Sequence, residues 1–473
     1  MQLSVALARF PDAVHARAGE VAAANAAHPS TLVVLDDDPT GTQSVSDLPV
    51  LTRWDVSDFD WAFEQKAAAV YVLTNSRSLD EAEARSRNIE IVENATTSAR
   101  ALGLTVRFVS RSDSTLRGHF PLETDTIAET LRAATGEVID GVVIVPAFPD
   151  AGRVTVGGVH YMLADDELTP VAETEFARDA TFGYGNSDLA SWVQEKSSGR
   201  IDAGSVIVLD LGIVRAGSAA IADAIAAAES STAIVSDALT EDDLRLLSLG
   251  LIEAESRGKK LLYRVGPPFV RARIGQEQRA PLTAEEIFPR GSAGSLGGLI
   301  VVGSHVGVTT RQLARLRSGR PNAITIEVDV EAVIGSADPQ HYLSEVAGHV
   351  IDTLASGDVI VHTSRLLVKT DDPAESLDIS RRVSAAVVSV VRQAVAASSP
   401  RFVIAKGGIT SSDVAAHGMQ IRHAIVRGPM LPGIVSLWEP VDGPATGIPY
   451  IVFAGNVGDD ESLASVVTTL SAL

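Results

Sequence analysis

The sequence predicts an α/β protein of two domains, each a mostly parallel sheet flanked by helices. Three observations carry that prediction. From Thr31 onward, short apolar runs rich in β-branched residues alternate with longer helical patterns, as βα units do. A glycine- and serine-rich stretch, Arg290–Gly298, interrupts the alternation, which restarts at Leu299. A length of 473 residues also exceeds one typical core, so two domains are expected, 1–289 and 290–473.

In the first domain the expected strands are Leu32–Leu35, Val70–Leu73, Val106–Val109, Val142–Val145, Val206–Leu209, Ala233–Val235 and Lys260–Tyr263. Between them lie helical stretches such as Asp80–Thr97, Leu122–Ala134 and Val214–Ala228, the second with Pro121 at its start. In the second domain three segments each run from a β-branched strand through glycine into small polar residues: Leu299–Gly307, Phe402–Thr410 and Tyr450–Gly458. A turn of this kind leaves backbone N–H groups unpaired at a helix N-terminus, where the helix dipole favours an anion. Three in one domain point to a phosphate-rich ligand.

Composition narrows the function. Hydrophobic residues make up 45% of the chain and mean hydropathy is +0.17, enough for a large core. No apolar run approaches the roughly 20 residues of a membrane span. Sixty Asp and Glu against 39 Lys and Arg leave a formal charge of −21, which speaks against nucleic acid or an anionic membrane as partner. Small anions are still admitted wherever arginines cluster. The absence of cysteine excludes disulfides, thiol catalysis and thiolate-held metals. Met1–Ala27 is Ala-rich and amphipathic without the order of a secretory leader, so a cytoplasmic location is expected.

The polar motifs follow the strands. The first strand ends in Asp36-Asp37-Asp38-Pro39-Thr40-Gly41, and in open α/β sheets ligands bind beyond the carboxyl ends of strands. Three adjacent acids need a metal, an arginine or a substrate hydroxyl to hold them, unless they serve an Asx-turn and helix cap. The second strand ends in Asn75-Ser76-Arg77-Ser78, where Ser78 and Glu81 match a capping box and leave Arg77 over. The third runs into Arg111-Ser112-Asp113-Ser114-Thr115-Leu116-Arg117-Gly118-His119, and the fourth leads to Pro149-Asp150-Ala151-Gly152-Arg153. Four strands thus deliver Asp37, Asp38, Arg77, Arg111, Asp113, Arg117 and Arg153 to one edge. Arginine forks bind carboxylates bidentately and aspartates bind hydroxyls, which suits a small hydroxy acid. The alternative is that these charges only pair with one another.

Competing signatures are missing: no GxxxxGK[ST], no GxGxxG after the first strand, no HExxH and no GxSxG. His119, His160, His305 and His362 fall beside loops, and His417 and His423 lie six apart; none has metal-ligand spacing, and each reads as a capping or packing histidine.

Taken together, these motifs resemble the four-carbon acid sugar kinases over nearly the whole chain. Asp37-Asp38-Pro39-Thr40-Gly41 resembles the DDxTG signature, Asn75-Ser76-Arg77 the SR element, and Asp113-Ser114-Thr115-Leu116-Arg117-Gly118 the long DSTLRG element. Gly303-Ser304, Gly407-Gly408-Ile409-Thr410-Ser411 and Gly455-Asn456-Val457-Gly458 resemble the nucleotide-binding turns. Ile409, Val457 and Phe453-Ala454 depart from the usual residues and mark a divergent branch.

The resemblance implies an N-terminal sugar-acid domain and a C-terminal nucleotide domain, and transfer of the ATP γ-phosphoryl group to a hydroxyl of a threonate, erythronate or 3-oxo-tetronate type acid. Asp37 is then the catalytic carboxylate, with Asp113 the alternative, and Asp38, Arg77, Ser114, Thr115, Arg117 and Arg153 hold the acid. Ser304, Lys406, Gly407, Gly408, Ile409, Thr410, Gly455 and Asn456 are expected at the nucleotide, with Lys406 reaching a phosphate as a point charge. Mg²⁺ is expected on the phosphates with no protein ligand assigned, and a homodimer stays open. A sugar-acid dehydrogenase leaves the three turns unexplained, and a non-catalytic sensor leaves the full set of polar loops unexplained.

Overall fold

A computed structural model describes residues 1–289, 297–336, 338–364 and 373–472. Most of the expected linker Arg290–Gly298 lies outside these. The strands are β1 (Thr31–Asp36), β2 (Leu48–Leu51), β3 (Ala69–Leu73), β4 (Val106–Arg111), β5 (Gly141–Val145), β6 (Arg153–Val156), β7 (Val159–Ala164), β8 (Glu167–Pro170), β9 (Ile207–Leu209), β10 (Thr232–Ser236), β11 (Leu261–Val265), β12 (Leu299–Val302), β13 (Ile324–Val328), β14 (Val359–Thr363), β15 (Val403–Lys406), β16 (His423–Leu431), β17 (Val435–Pro440) and β18 (Tyr450–Phe453). They fall into two compact units.

The first unit comprises Met1–Gly41 and Trp54–Gln278. Its main sheet runs β3-β1-β4-β11-β5-β10-β9 with every pairing parallel. All residues of β3, β5 and β11 are buried, as expected of strands covered by helices on both faces. All seven expected strands are present. The expected helix Val214–Ala228 is two, Leu211–Arg215 and Ser218–Ala224, because Gly217 between them takes φ +101°. The helix after β3 is capped by Asp80, which accepts a hydrogen bond from Glu83 N at 2.8 Å, and not by Ser78, whose hydroxyl donates to Asn75 O. Asp80 adjoins the first helical residue, Glu81, so the shorter connection takes the cap.

A three-stranded antiparallel sheet, β6-β7-β8, was not expected. Besides backbone hydrogen bonds to Ala238, Ser187 and Leu189, two side chains tie its hairpin to the rest. Asp237, just after β10, accepts hydrogen bonds from Gly157 N (2.6 Å), Gly158 N (2.8 Å) and Leu211 N (3.0 Å). His160 on β7 donates from Nε2 to Ser114 O at 2.8 Å, while its Nδ1 accepts from the Thr155 hydroxyl at 2.9 Å. The hairpin therefore holds the DSTLRG loop by its backbone.

The second unit comprises Thr42–Arg53 and Arg279–Leu473. Its strands run β13-β14-β12-β15-β18-β17-β16-β2, parallel as far as β18 and antiparallel beyond. Thr42–Arg53 belongs here because β2 pairs with His423–Val426, and the Thr42 hydroxyl accepts from Trp438 Nε1 at 2.9 Å and contacts Ser436 Oγ at 2.8 Å. Helices Gly307–Gly319 and Ser462–Ser471 bury Leu313, Leu316, Val466 and Leu470 with Ile300, Ile404 and Ile451. Among the described residues no helix is long and apolar enough to cross a membrane.

The His160 contact predicts a pH effect. Burial pushes its imidazole down to about 4, below the ordinary value near 6.5. The unfolded chain therefore takes up a proton that the folded chain refuses. Stability is complete above about pH 6.5 and falls as pH drops toward 4, by up to ~3 kcal/mol from this group. Urea unfolding at pH 7 and pH 5 should show a larger loss for the wild type than for His160→Gln, which keeps a donor for Ser114 O. Equal losses would remove His160 as the cause.

Candidate active site

The register of the first unit's sheet builds the site. Asp36 on β1 lies directly across the ladder from Arg111 on β4, and the two side chains form a buried ion pair. Burial, reinforced by repulsion from Asp37 and Asp38, pushes the Asp36 carboxyl up to about 7 against the pull of Arg111. Arg111 also reaches Asp37 Oδ1 at 3.3 Å and donates to Asp38 O at 2.5 Å. From the other side Arg77, in the 3₁₀ turn after β3, grips Asp37 bidentately, Nη2 to Oδ1 at 2.6 Å and Nε to Oδ2 at 3.1 Å. Arg77 Nη1 lies 3.6 Å from Asp38 Oδ2, and Asp38 Oδ1 accepts from Thr40 N (2.9 Å) and the Thr40 hydroxyl (2.5 Å). Burial opposes the Asp38 charge, but Arg77 and Arg111 outweigh it and hold its pKa below the usual range.

The loop after β4 adds the next layer. Leu116 sits at φ +68° and Gly118 at φ +115°, a backbone that turns Asp113, Thr115 and Arg117 onto one another. Arg117 Nε donates to Asp113 Oδ2 at 2.6 Å, the Thr115 hydroxyl donates to the same oxygen, and Arg117 Nη1 lies 3.6 Å from Asp179 Oδ2. Burial works against ionising Asp113, yet Arg77 and Arg117 overcome it and hold its carboxyl far below the ordinary value. The Ser114 and Thr115 carbonyls are tied to His160 and to the Tyr184 hydroxyl (2.7 Å). A Cβ at Gly118 would lie 3.2 Å from Asp37 Oδ2, so this glycine brings the loop backbone against the carboxylate.

Arg77, Arg111, Arg117, Asp36, Asp37, Asp38 and Asp113 are thus gathered at one sheet edge, with Arg153 opening β6 beside them. Two members were not expected. Arg264, the one charge in the apolar strand β11, lies over the Phe120 and Trp192 rings and donates to the Ser112 hydroxyl at 2.5 Å. Glu123 accepts from the Ser76 hydroxyl (2.5 Å) and the Ser110 hydroxyl (2.9 Å), and burial together with Asp37 raises its pKa. A lone arginine within LLYRV was the available signal for Arg264; Glu123 in a first helical turn reads as ordinary dipole chemistry. Among the described residues no three His, Asp or Glu side chains form a group able to hold a metal ion.

In the second unit, β12, β15 and β18 are neighbours, so their three glycine turns adjoin at one edge. Gly303 N and Ser304 N both donate to Lys406 O at 3.2 Å, and Gly407 N donates to Phe453 O at 2.9 Å. Gly407 takes φ +137°, and a Cβ there would come within 3.3 Å of Ser304 N. A Cβ at Gly455 would lie 2.6 Å from Ser304 Oγ, and one at Gly303 would strike the Thr410 hydroxyl. Thr309 joins two turns, donating to Gly455 O at 2.8 Å. Gly408 is half-buried, Asn456 is exposed, and of Ile409 only the backbone is described.

Lys406 is placed differently from expectation. Its side chain is fully buried, donates to Ala454 O at 2.6 Å and lies 3.9 Å from the Phe453 ring centroid. It holds the last turn from beneath and does not extend outward as a point charge, and burial lowers its ammonium to about 7.

Residues 32–273 match the sugar-binding N-terminal domain and residues 299–463 the nucleotide-binding C-terminal domain. The chain is 28% identical over 345 residues to D-erythronate kinase of Heliobacterium modesticaldum, covering 70% of each chain. It is 29% identical over 247 residues to D-threonate kinase of Cupriavidus necator, covering 51% of this chain and 52% of that one, about half the length of that relative. A Salmonella typhimurium LT2 protein of solved structure shares the fold with TM-score 0.65 at 19% identity, over 92% of this chain and 98% of that one. A Haemophilus influenzae protein does so with TM-score 0.61 at 18% identity, over 93% and 100%. Such identities speak for the fold alone, whereas the two domain matches span most of the sequence in the expected order. With the DDxTG and DSTLRG residues assembled on one edge and the glycine turns on another, the chain belongs to the four-carbon acid sugar kinase family.

Proposed function

We propose that the protein transfers the γ-phosphoryl group of ATP to a hydroxyl of a four-carbon sugar acid of the threonate, erythronate or 3-oxo-tetronate type. The observation that carries this reading is the carboxylate–guanidinium array at the carboxyl edge of the first unit's sheet. It offers arginine forks to a carboxylate and aspartate oxygens to hydroxyls in one place. The adjoining glycine turns of the second unit support a nucleotide, since they admit phosphates close to backbone N–H groups.

In this reading Asp37 orients the accepting hydroxyl and receives its proton, with Asp113 the alternative. Asp38, Ser114 and Thr115 hold further hydroxyls, and one or more of Arg77, Arg117 and Arg153 serves the carboxylate. The turns at Ser304, Gly407–Thr410 and Gly455-Asn456 line the phosphates, and Lys406 supports the last of them. Phosphoryl transfer depends chiefly on alignment and charge compensation, so a clamped carboxylate suffices. Magnesium travels with the nucleotide, with phosphate and water supplying most of its ligands.

Coupled ADP release across a panel of tetronic acids tests the proposal. Acid-dependent ADP formation with a four-carbon acid is expected; acid-dependent NAD reduction without ADP would overturn it in favour of a dehydrogenase.

Two substitutions test the parts. Asp37→Asn should fold, bind both substrates and lose kcat by ~10²–10⁴-fold. Asp36→Asn leaves Arg111 without its main partner, so it should chiefly lower the melting temperature, the loss of a buried partner costing about 3–5 kcal/mol. If Asp37→Asn keeps near-wild-type kcat while Asp113→Asn is inactive, the role passes to Asp113. Gly455→Val forces a branched side chain against Ser304 and should abolish measurable ATP binding by calorimetry while leaving sugar-acid binding unchanged. A folded variant with wild-type ATP affinity would move the nucleotide elsewhere.

A further inference from the structure

Three arginines of the first unit were available for the substrate carboxylate, and their surroundings separate them. Arg77 is spent on Asp37 and Asp38, and Arg117 on Asp113 and Asp179. Arg153 has no side-chain hydrogen bond or ion pair among the described residues, and its Nε is buried without a partner. Its position is fixed all the same. Arg153 N donates to Phe148 O at 3.0 Å and Phe148 N to Arg153 O at 2.7 Å, closing a tight turn in which Gly152 takes φ +70°.

Nearby acids are engaged elsewhere. Asp150 pairs with Arg271 at 3.1 Å, and Asp179 accepts from Thr181 N and Phe182 N, each at 2.9 Å. Asp113 draws the Arg153 charge electrostatically without touching it, while burial disfavours that charge. The guanidinium rests instead on an aromatic ring: Phe176 lies 5.9 Å from Arg153 Cζ and 5.2 Å from Arg117 Cζ. A ring holds a guanidinium in place while consuming none of its five N–H donors.

We infer that Arg153, shelved on Phe176, is the residue that receives the substrate carboxylate, and that Arg77 and Arg117 orient the aspartates instead. The inference rests on the sugar-acid reading and deepens it. Arg153 is then the determinant that separates sugar acids from the neutral polyols of the same length. Phe176 is a positioning residue acting through it.

The test measures Kd for D-erythronate and D-threonate by calorimetry, together with KM and kcat in the coupled assay. Erythritol serves as the neutral comparison. Arg153→Ala should raise Kd and KM for the acid about 10- to 150-fold, the range for hydrogen bonds to a charged group, with kcat and ATP affinity within a few-fold. Selectivity for acid over erythritol should fall in parallel, and added methylguanidinium should restore part of the acid affinity. Phe176→Leu should raise the acid KM by less, with Phe176→Tyr restoring it. If the wild type binds and phosphorylates an acid while Arg153→Ala leaves its Kd and KM within twofold, this inference is wrong and the kinase reading stands. Acid binding that Arg153→Ala weakens, without any phosphorylation by the wild type, would sustain the inference and overturn the kinase reading. A wild type that neither binds nor phosphorylates any four-carbon acid overturns both.

Discussion

The pairing of Asp36 with Arg111 across the β1–β4 ladder is the constraint on which the first unit's site depends. Consecutive carboxylates at the end of a buried strand cannot all ionise without compensation. Because β1 is an inner strand, compensation arrives from both neighbours: Arg111 from β4 on one side and Arg77 from the turn after β3 on the other. Parallel pairing is what makes this work, since it brings the carboxyl ends of adjacent strands to the same edge. Gly41 completes the fit, for a Cβ there would strike both Asp36 and Arg111.

That compensation has a chemical consequence. Arg77 grips Asp37 bidentately and fixes its direction. Asp113, held by Arg77 and Arg117 against its burial, gives up proton affinity in exchange for a fixed direction and is not built as a strong base. For transfer through a loose phosphoryl transition state the exchange is favourable, because little proton transfer is needed before the phosphoryl group has largely left its donor. In the reaction proposed above, the array aligns a hydroxyl and offsets charge, and its rigidity matters more than its basicity.

Much of this was legible in the sequence, and the remainder was hidden for physical reasons. The parallel strands showed because strands buried on both faces read as unbroken apolar runs. The antiparallel strands did not: β16 carries Gly428 and Pro429 within a bulged stretch, and β6, joined to β7 by Gly157-Gly158, is only four residues long. The DDxTG and DSTLRG residues stood out because charge at a strand end has few structural uses. Arg264 and Phe176 escaped notice because one sits inside an apolar strand and the other in a short 3₁₀ turn distant in sequence from its partners. Which arginine lacks a partner cannot be read from a linear chain at all.

Lys406 shows how far a single register decides a role. One residue before a glycine turn, it could face the ligand or the sheet; pairing with Val302 and Phe453 buries it. Its ammonium then donates to the carbonyl of Ala454. In a trans peptide the C=O and the following N–H point in opposite directions, so holding that carbonyl inward turns Gly455 N–H away from the core. Gln312 does the same at the far end of the turn, donating from Nε2 to Val457 O at 3.1 Å and Asp459 O at 2.7 Å. A buried lysine and a buried amide thus fix the direction of backbone donors they never replace. The turn is thus organised from below, by side chains packed beneath its backbone.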